Sequence, residues 1–280
     1  MFGKEYAKYP EILFDSFTKM KDEYEKKSST VTKNEFLKFL ITQYIDLFGV
    51  PEIGMQIRFM HFKSAINSYF PKKMKEILDA GSGIGGYVLE LRQKYPSAFI
   101  TGGEIDTKKI LLCKKLFNDL HVKKVTFQKI DIVKSRLRKE KYNLIINVDV
   151  LEHIKPYKKA LKNLSDALRK GGYLFIHTPH NNQKRIFSFT KGWHHADHVR
   201  EGFSLPILVK DVEKSGLSVV HARRVFGPFG RFSWELNHFF LEKSFILAGI
   251  TYPILYLIAQ LDRHVSDSQG LGIVIVAKKL

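Results

Sequence analysis

The 280-residue chain predicts an α/β fold built on a parallel sheet with crossover helices, and three observations carry that expectation. Apolar runs of strand length alternate with helical patterns from Lys75 to Thr178. A glycine-rich turn, Gly81-Ser82-Gly83-Ile84-Gly85-Gly86, follows the first apolar run and opens a helical pattern. A hydrophobic content of 44% supplies the core that such a fold needs.

In chain order, strands are expected near Glu76 to Ala80, Ala98 to Glu104, Lys124 to Lys129, Tyr142 to Asn147 and Tyr173 to Thr178. Helices are expected near Gly85 to Lys94, Thr107 to Leu120 and Tyr157 to Arg169. Asp106-Thr107 can cap the second of these, and Gly171-Gly172 can stop the third. A helix over Leu205 to Lys214 leads to a strand over Leu217 to Val225, and Gly270 to Ala277 reads as a last strand paired with it. Between those two strands lie about forty residues, far more than the usual hairpin loop of about two to five.

Two segments stand outside this alternation. Residues 1–70 read as a helical appendage in which Phe36 to Phe48 and Ile57 to Phe70 show helical spacing on either side of Val50-Pro51-Glu52. It would cover a sheet edge or act as a lid on the cleft. Residues 227–269 form an insertion whose middle, Ser244 to Gln260, carries no charge. That stretch is shorter than the ~20 residues of a spanning helix, and Pro253 is expected to break it. It reads either as helices buried against the domain or as a monotopic membrane contact or channel for a lipophilic acceptor, with Lys243 and Arg263 at its ends. Residues 71–226 and 270–280 make up the main domain.

Composition narrows the setting. The formal charge of +18 permits contact with acidic lipid or with polyanions, but lysine far outnumbers arginine and is dispersed, as on a solvated surface. One cysteine, Cys113, excludes an internal disulfide and a cysteine-rich metal site, which fits a reducing compartment. Residues 1–25 are charged and aromatic rather than basic then apolar, so a cytoplasmic location, with peripheral membrane contact as the sharper alternative, is the expectation.

The glycine turn carries the chemistry. Glycines permit a tight strand-to-helix turn and close backbone approach, while the following helix points free N–H groups at a ligand. Gly81, Gly83 and Gly86 also fit the dinucleotide pattern, which alone is a weak signal. The acid before the turn decides between readings. A pyrophosphate gains nothing from Asp79, whereas a nucleoside carrying a cationic ammonium would pair with it. Glu104, about twenty residues beyond the first glycine, is placed to accept from ribose hydroxyls.

Five motifs in order resemble the class I S-adenosylmethionine-dependent methyltransferases. They are the glycine turn, Thr101-Gly102-Gly103-Glu104-Ile105-Asp106, Lys129-Ile130-Asp131-Ile132, Asn147-Val148-Asp149-Val150-Leu151-Glu152-His153-Ile154, and Leu168-Arg169-Lys170-Gly171-Gly172-Tyr173-Leu174-Phe175-Ile176. The resemblance implies a seven-stranded, doubly wound Rossmann-like sheet with an antiparallel last strand. It also implies that S-adenosylmethionine is held by Asp79, Gly81, Ser82, Gly83, Gly85, Glu104, Ile105, Asp131, Ile132, Asn147, Val148 and Asp149. In the family, Asp131 and Ile132 stand beside the adenine, and the Leu-Glu-His run mostly shapes the cleft, which gives His153 a packing role.

Methyl transfer needs alignment, exclusion of water and, for an acceptor that must lose a proton, a base. His177, His180, His194, His195 and His198 crowd one stretch, out of 11 histidines in the chain. His180 and His198 are the candidate bases. A zinc site from His194, His195 and His198 with Asp197 is not assigned, because adjacent residues rarely converge on one ion without help from elsewhere. The expected acceptor is a small, hydrophobic or membrane-associated molecule, with Phe226, Phe229, Phe232 and Trp234 able to line its pocket. The alternatives are an RNA or other nucleic-acid methyltransferase, favoured by charge but lacking the Asn/Asp-Pro-Pro-aromatic run, and a non-catalytic cofactor-binding protein.

Overall fold

A computed structural model describes residue 44 and residues 51–190, 198–265 and 269–280. Apart from residue 44, the expected helix over Phe36 to Phe48 lies outside the described residues, as do the candidate ligands His194, His195 and Asp197. The sheet and the site discussed below belong to the compact unit formed by residues 52–110 and 124–280.

The elements are α1 (Ile53–Tyr69), β1 (Glu76–Ala80), α2 (Gly86–Lys94), β2 (Phe99–Glu104), α3 (Thr107–Asp119), β3 (Val125–Lys129), β4 (Tyr142–Val148), α4 (Tyr157–Ala167), β5 (Leu168–Pro179), α5 (Leu205–Lys214), β6 (Ser218–Val225), α6 (Pro228–Lys243), α7 (Phe245–Gln260) and β7 (Gly272–Lys278). They form a seven-stranded sheet of order β3-β2-β1-β4-β5-β7-β6. Strands β1 to β5 pair in parallel, and β7 runs antiparallel between β5 and β6. The Rossmann-like sheet and its antiparallel last strand are therefore as expected. Strand order reverses between β1 and β4, and an open sheet binds its ligand at the carboxyl ends beside such a point.

Continuous apolar runs form the central strands because both faces are covered. Leu78, Ile145, Leu174 and Ile275 share one buried cluster with Leu161 and Leu164 of α4 and Leu208 and Val212 of α5. On α1, buried Phe62 sets its ring edge-on to Phe175 of β5, centroids 5.2 Å apart. Glu52 caps α1 by accepting from the Gly54 and Met55 N–H groups at 2.8 and 2.6 Å.

Three local expectations are corrected. Helix α4 ends at Ala167, two residues early, because Leu168 is already extended and pairs with Tyr142. Gly171 and Gly172 do not stop the helix. Gly171, at φ +74°, and Gly172 instead exchange backbone hydrogen bonds with Lys279. Pro253 does not break α7, which runs unbroken through it. An interior proline costs about 3 kcal/mol. Burial of Ala248, Tyr252, Leu255 and Ala259 along one face outweighs that, at about 1.5–3 kcal/mol for each large side chain.

The insertion is fastened by buried polar groups. Asp262 accepts from the Phe229 and Gly230 N–H groups at the start of α6, and Asn237 accepts from Ile53 N–H. Fully buried Glu235 accepts from the Ile186 and Phe187 N–H groups and the Thr190 hydroxyl. Among the described residues no helix is long and apolar enough to cross a membrane. One face of α7 is thus buried, while Ile246, Leu247, Ile250, Ile254 and Leu257 form an exposed stripe.

Candidate active site

At the carboxyl end of β1 the chain turns through Gly81, Gly83 and Gly85, with φ of +98°, +52° and +85°. A side chain at Gly81 would meet Val150 Cγ2, so both conformation and space demand glycine there. Glu104 ties this turn to β2: it accepts from Gly83 N–H at 2.9 Å and from the Ile105 and Asp106 N–H groups at 2.8 and 3.0 Å. A carboxylate offers about four lone-pair sites, so ribose hydroxyls would share Glu104 with the turn.

The expected cofactor cradle contains polar atoms that the protein does not satisfy. Asp79 Oδ2, Ser82 Oγ and Asn147 Oδ1 are buried without a hydrogen-bond partner, although the Asn147 amide donates to Ala80 O. Such orphans are rare in folded proteins and point to a missing ligand. Burial, and then repulsion from Glu104, push the Asp79 carboxyl up to about 8. A cation placed beside it would reverse that shift. These residues fit S-adenosylmethionine, whose ammonium would pair with Asp79.

The remaining predicted contacts divide. Asp131 uses Oδ1 to accept from the Val133 and Lys134 N–H groups, the local turn that a short acid after a strand favours. Ile132 is packed in the core, whereas Ile105, 58% exposed, stands beside Glu104 as the apolar group open to a ligand. Val148 and Asp149 are half-buried at the end of β4.

Next to the cradle is a cavity of about 300 Å³ lined by Arg58, Asp149, Glu152, His177, His198 and Trp234 among others. Asp149 adopts φ +52°, a conformation that non-glycine residues seldom take, and its carboxylate reaches His177 Nδ1 at 2.6 Å and Arg58 Nε at 3.3 Å. Burial works to raise its pKa, but the neighbouring imidazole and guanidinium outweigh that and hold it at about 2. Since an ionised carboxylate can only accept, the pairing sets a proton on His177 Nδ1, and Nε2 is buried and unpartnered.

The structure brings His198, but not His180, to this cavity. His180 Nδ1 accepts from Asn182 N–H in the turn after β5, and its main chain bridges to Phe203. His198 packs edge-on against His153, centroids 4.6 Å apart. Arg200 locks that arrangement by donating to Leu151 O and Ile154 O, both at 2.7 Å, while lying over the rings of Tyr157 and Phe203. Glu152 accepts from the Thr178 hydroxyl through Oε2, its Oε1 has no partner, and burial followed by repulsion from Asp149 raises it to about 8.

Sequence reasoning missed the pairing of Asp149 with His177, and also Arg58 and Arg185. The signal for the first was available: β4 and β5 are adjacent and parallel, with Val148 opposite His177, so residues at their ends must meet. Arg185 lies over the Trp234 ring, 4.7 Å from its centroid, and Trp234 stands edge-on to Phe226. Of the four aromatics expected at an acceptor pocket, Phe226 and Trp234 line the cavity.

A family model described as a methyltransferase domain matches residues 56–222. N-methyltransferase 4 of Papaver somniferum is 28% identical over 112 residues, which is 38% of this chain and 30% of that protein. The chain thus matches less than a third of that relative's length. Among solved structures, phosphoethanolamine N-methyltransferase 2 of Haemonchus contortus, in complex with phosphomonomethylethanolamine and S-adenosylhomocysteine, superposes with a TM-score of 0.60 at 16% identity, covering 79% of this chain and 52% of that one. Coclaurine N-methyltransferase bound to N-methylheliamine and S-adenosylhomocysteine gives a TM-score of 0.56 at 16% identity, covering 79% and 71%. At these identities the structural likeness speaks for the fold.

Proposed function

Because the chain belongs to the methyltransferase-domain family, we propose that it methylates a small, lipophilic acceptor using S-adenosylmethionine, and that it meets that acceptor at a membrane surface. The observation that carries the reading is the buried, unpartnered Asp79 carboxylate oxygen under the glycine turn. S-adenosylmethionine supplies an electrophilic methyl on its sulfonium. Asp79 and the turn would hold it, with Glu104 at the ribose.

The protein's own part is positioning and proton transfer. Asp149 orients His177 so that Nε2 can take a proton from the acceptor, which suits a hydroxyl or a protonated amine. Arg58 keeps Asp149 ionised. Phe226 and Trp234 give the cavity an apolar wall that excludes water, and Arg185 over Trp234 gives it a polar edge. The cavity thus suits an amphipathic molecule with an apolar body and a polar head.

Calorimetric titration with S-adenosylmethionine tests the donor. Since Asp79 is largely protonated at pH 7 without ligand and must ionise to pair with the ammonium, binding is expected to release about one proton. Titrations in buffers of different ionisation enthalpy measure it. No binding sinks the donor assignment, and binding without proton release removes Asp79 from it.

The exposed stripe of α7 supports the membrane part. Five large aliphatic side chains face solvent on a helix without a charged residue, with Lys243 and Arg263 at its ends, on a chain of formal charge +18. That combination matches a helix lying in an anionic lipid interface. The double substitution Ile250→Asp/Ile254→Asp is expected to cut flotation with phosphatidylglycerol vesicles by about tenfold or more, as charge replaces buried apolar area. Equal partitioning of the variant would remove the membrane claim and leave the donor assignment standing.

A further inference from the structure

Glu152, His153 and His198 are not required by the proton transfer just described, yet each offers a ligand atom and these atoms lie within 4.8 Å of one another. The first two come from the short helical turn after β4, at Leu151–His153, and the third from the segment after β5. Adjacency in sequence could not bring them together. The clamp of Arg200 on Leu151 O and Ile154 O, with Val199 N–H donating to Glu152 O, does so.

We propose that Glu152, His153 and His198 form a binding site for a divalent first-row cation at the edge of the acceptor cavity. Two imidazoles and one carboxylate suit zinc or a similar borderline ion rather than magnesium or calcium, which favour all-oxygen shells. Glu152 Oε1 is fully buried and unpartnered in a residue that lines the cavity, the state of a carboxylate oxygen built to receive a cation. Drawing three donors to ion-binding distance needs movements of about 1 Å each. The second carboxylate oxygen, held by the Thr178 hydroxyl, supplies the outer hydrogen bond that orients a ligand.

Three protein ligands leave a fourth position open, as in catalytic rather than structural sites. Resting on the reading of this cavity as the acceptor site, the ion would hold an oxygen of the acceptor's polar head. The acceptor is then an oxygen-bearing molecule, with His177 beside the same cavity to take its proton.

The test uses the full-length protein, stripped with chelator, titrated calorimetrically with zinc chloride and followed with cobalt by visible absorption. One equivalent is expected, with a raised melting temperature on binding. Glu152→Gln and His198→Ala are each expected to weaken binding by about tenfold or more. His198 is only half-buried, so its variant serves should the buried glutamate substitution fail to fold. Undiminished affinity in a folded variant, or no binding by the parent protein, overturns the site. So does loss of binding in His194→Ala/His195→Ala with full retention in Glu152→Gln, because the ion then belongs to those two histidines. None of these readouts involves methyl transfer, so failure here is distinct from failure to bind S-adenosylmethionine.

Discussion

Asp79→Asn is expected to weaken S-adenosylmethionine binding by about 100-fold or more while making the ligand-free protein more stable, not less. Removing one partner of a buried charge pair costs about 3–5 kcal/mol, and the ammonium would lose the carboxylate expected to pair with it. In the free protein the sign reverses. The folded Asp79 carboxyl titrates at about 8, above its unfolded value, so between the two the unfolded chain ionises and the folded one does not. Asp79's contribution to the stability of the free protein therefore falls as pH rises through that window, and the amide removes that contribution while leaving the one from Glu152, which is raised likewise. Calorimetry measures the affinity, and thermal melts at pH 5 and pH 8 measure the slope. A variant that binds the donor as tightly as the parent removes Asp79 from the cofactor site.

His177→Gln is the second large effect. Loss of a positioned general base lowers kcat by about 10²–10⁴-fold, and donor binding should be unchanged because His177 lines the cavity and not the glycine turn. Asp149→Asn should mimic much of this by releasing the tautomer that the carboxylate fixes. Steady-state rates with an acceptor recovered from lipid extracts and labelled donor, set beside calorimetry with the donor, separate the two effects. A His177→Gln enzyme with parental kcat would assign the proton transfer elsewhere.

How much of this was legible depended on whether a feature is local. The turn from Gly81 to Gly86 states its own conformation, since positive φ and contact with Val150 both select glycine. Helix α5 runs over Leu205–Lys214, the bounds expected from the sequence. The geometry of the candidate site was less accessible. His177 and His180 look equivalent in sequence, and only the register of β4 with β5 places one against Asp149 and turns the other into a loop contact. Arg58 lies more than ninety positions before Asp149, in a segment that reads as an appendage yet supplies a wall of the site. Likewise, no local pattern marks Glu235 as the anchor of the loop at Ile186 and Phe187.

The insertion leaves β6 and returns to β7 at positions that face each other, Val225 opposite Gly272. Its two ends are therefore already joined by the sheet, and chain added between them does not disturb any strand. Doubling such a loop costs only about 0.6 kcal/mol in closure entropy. The portion of the molecule carrying Trp234 and the stripe of α7 can thus be lengthened, shortened or replaced without shifting the strands that hold the donor cradle at the same carboxyl edge of the sheet. The protein is physically arranged as a fixed engine with an exchangeable front.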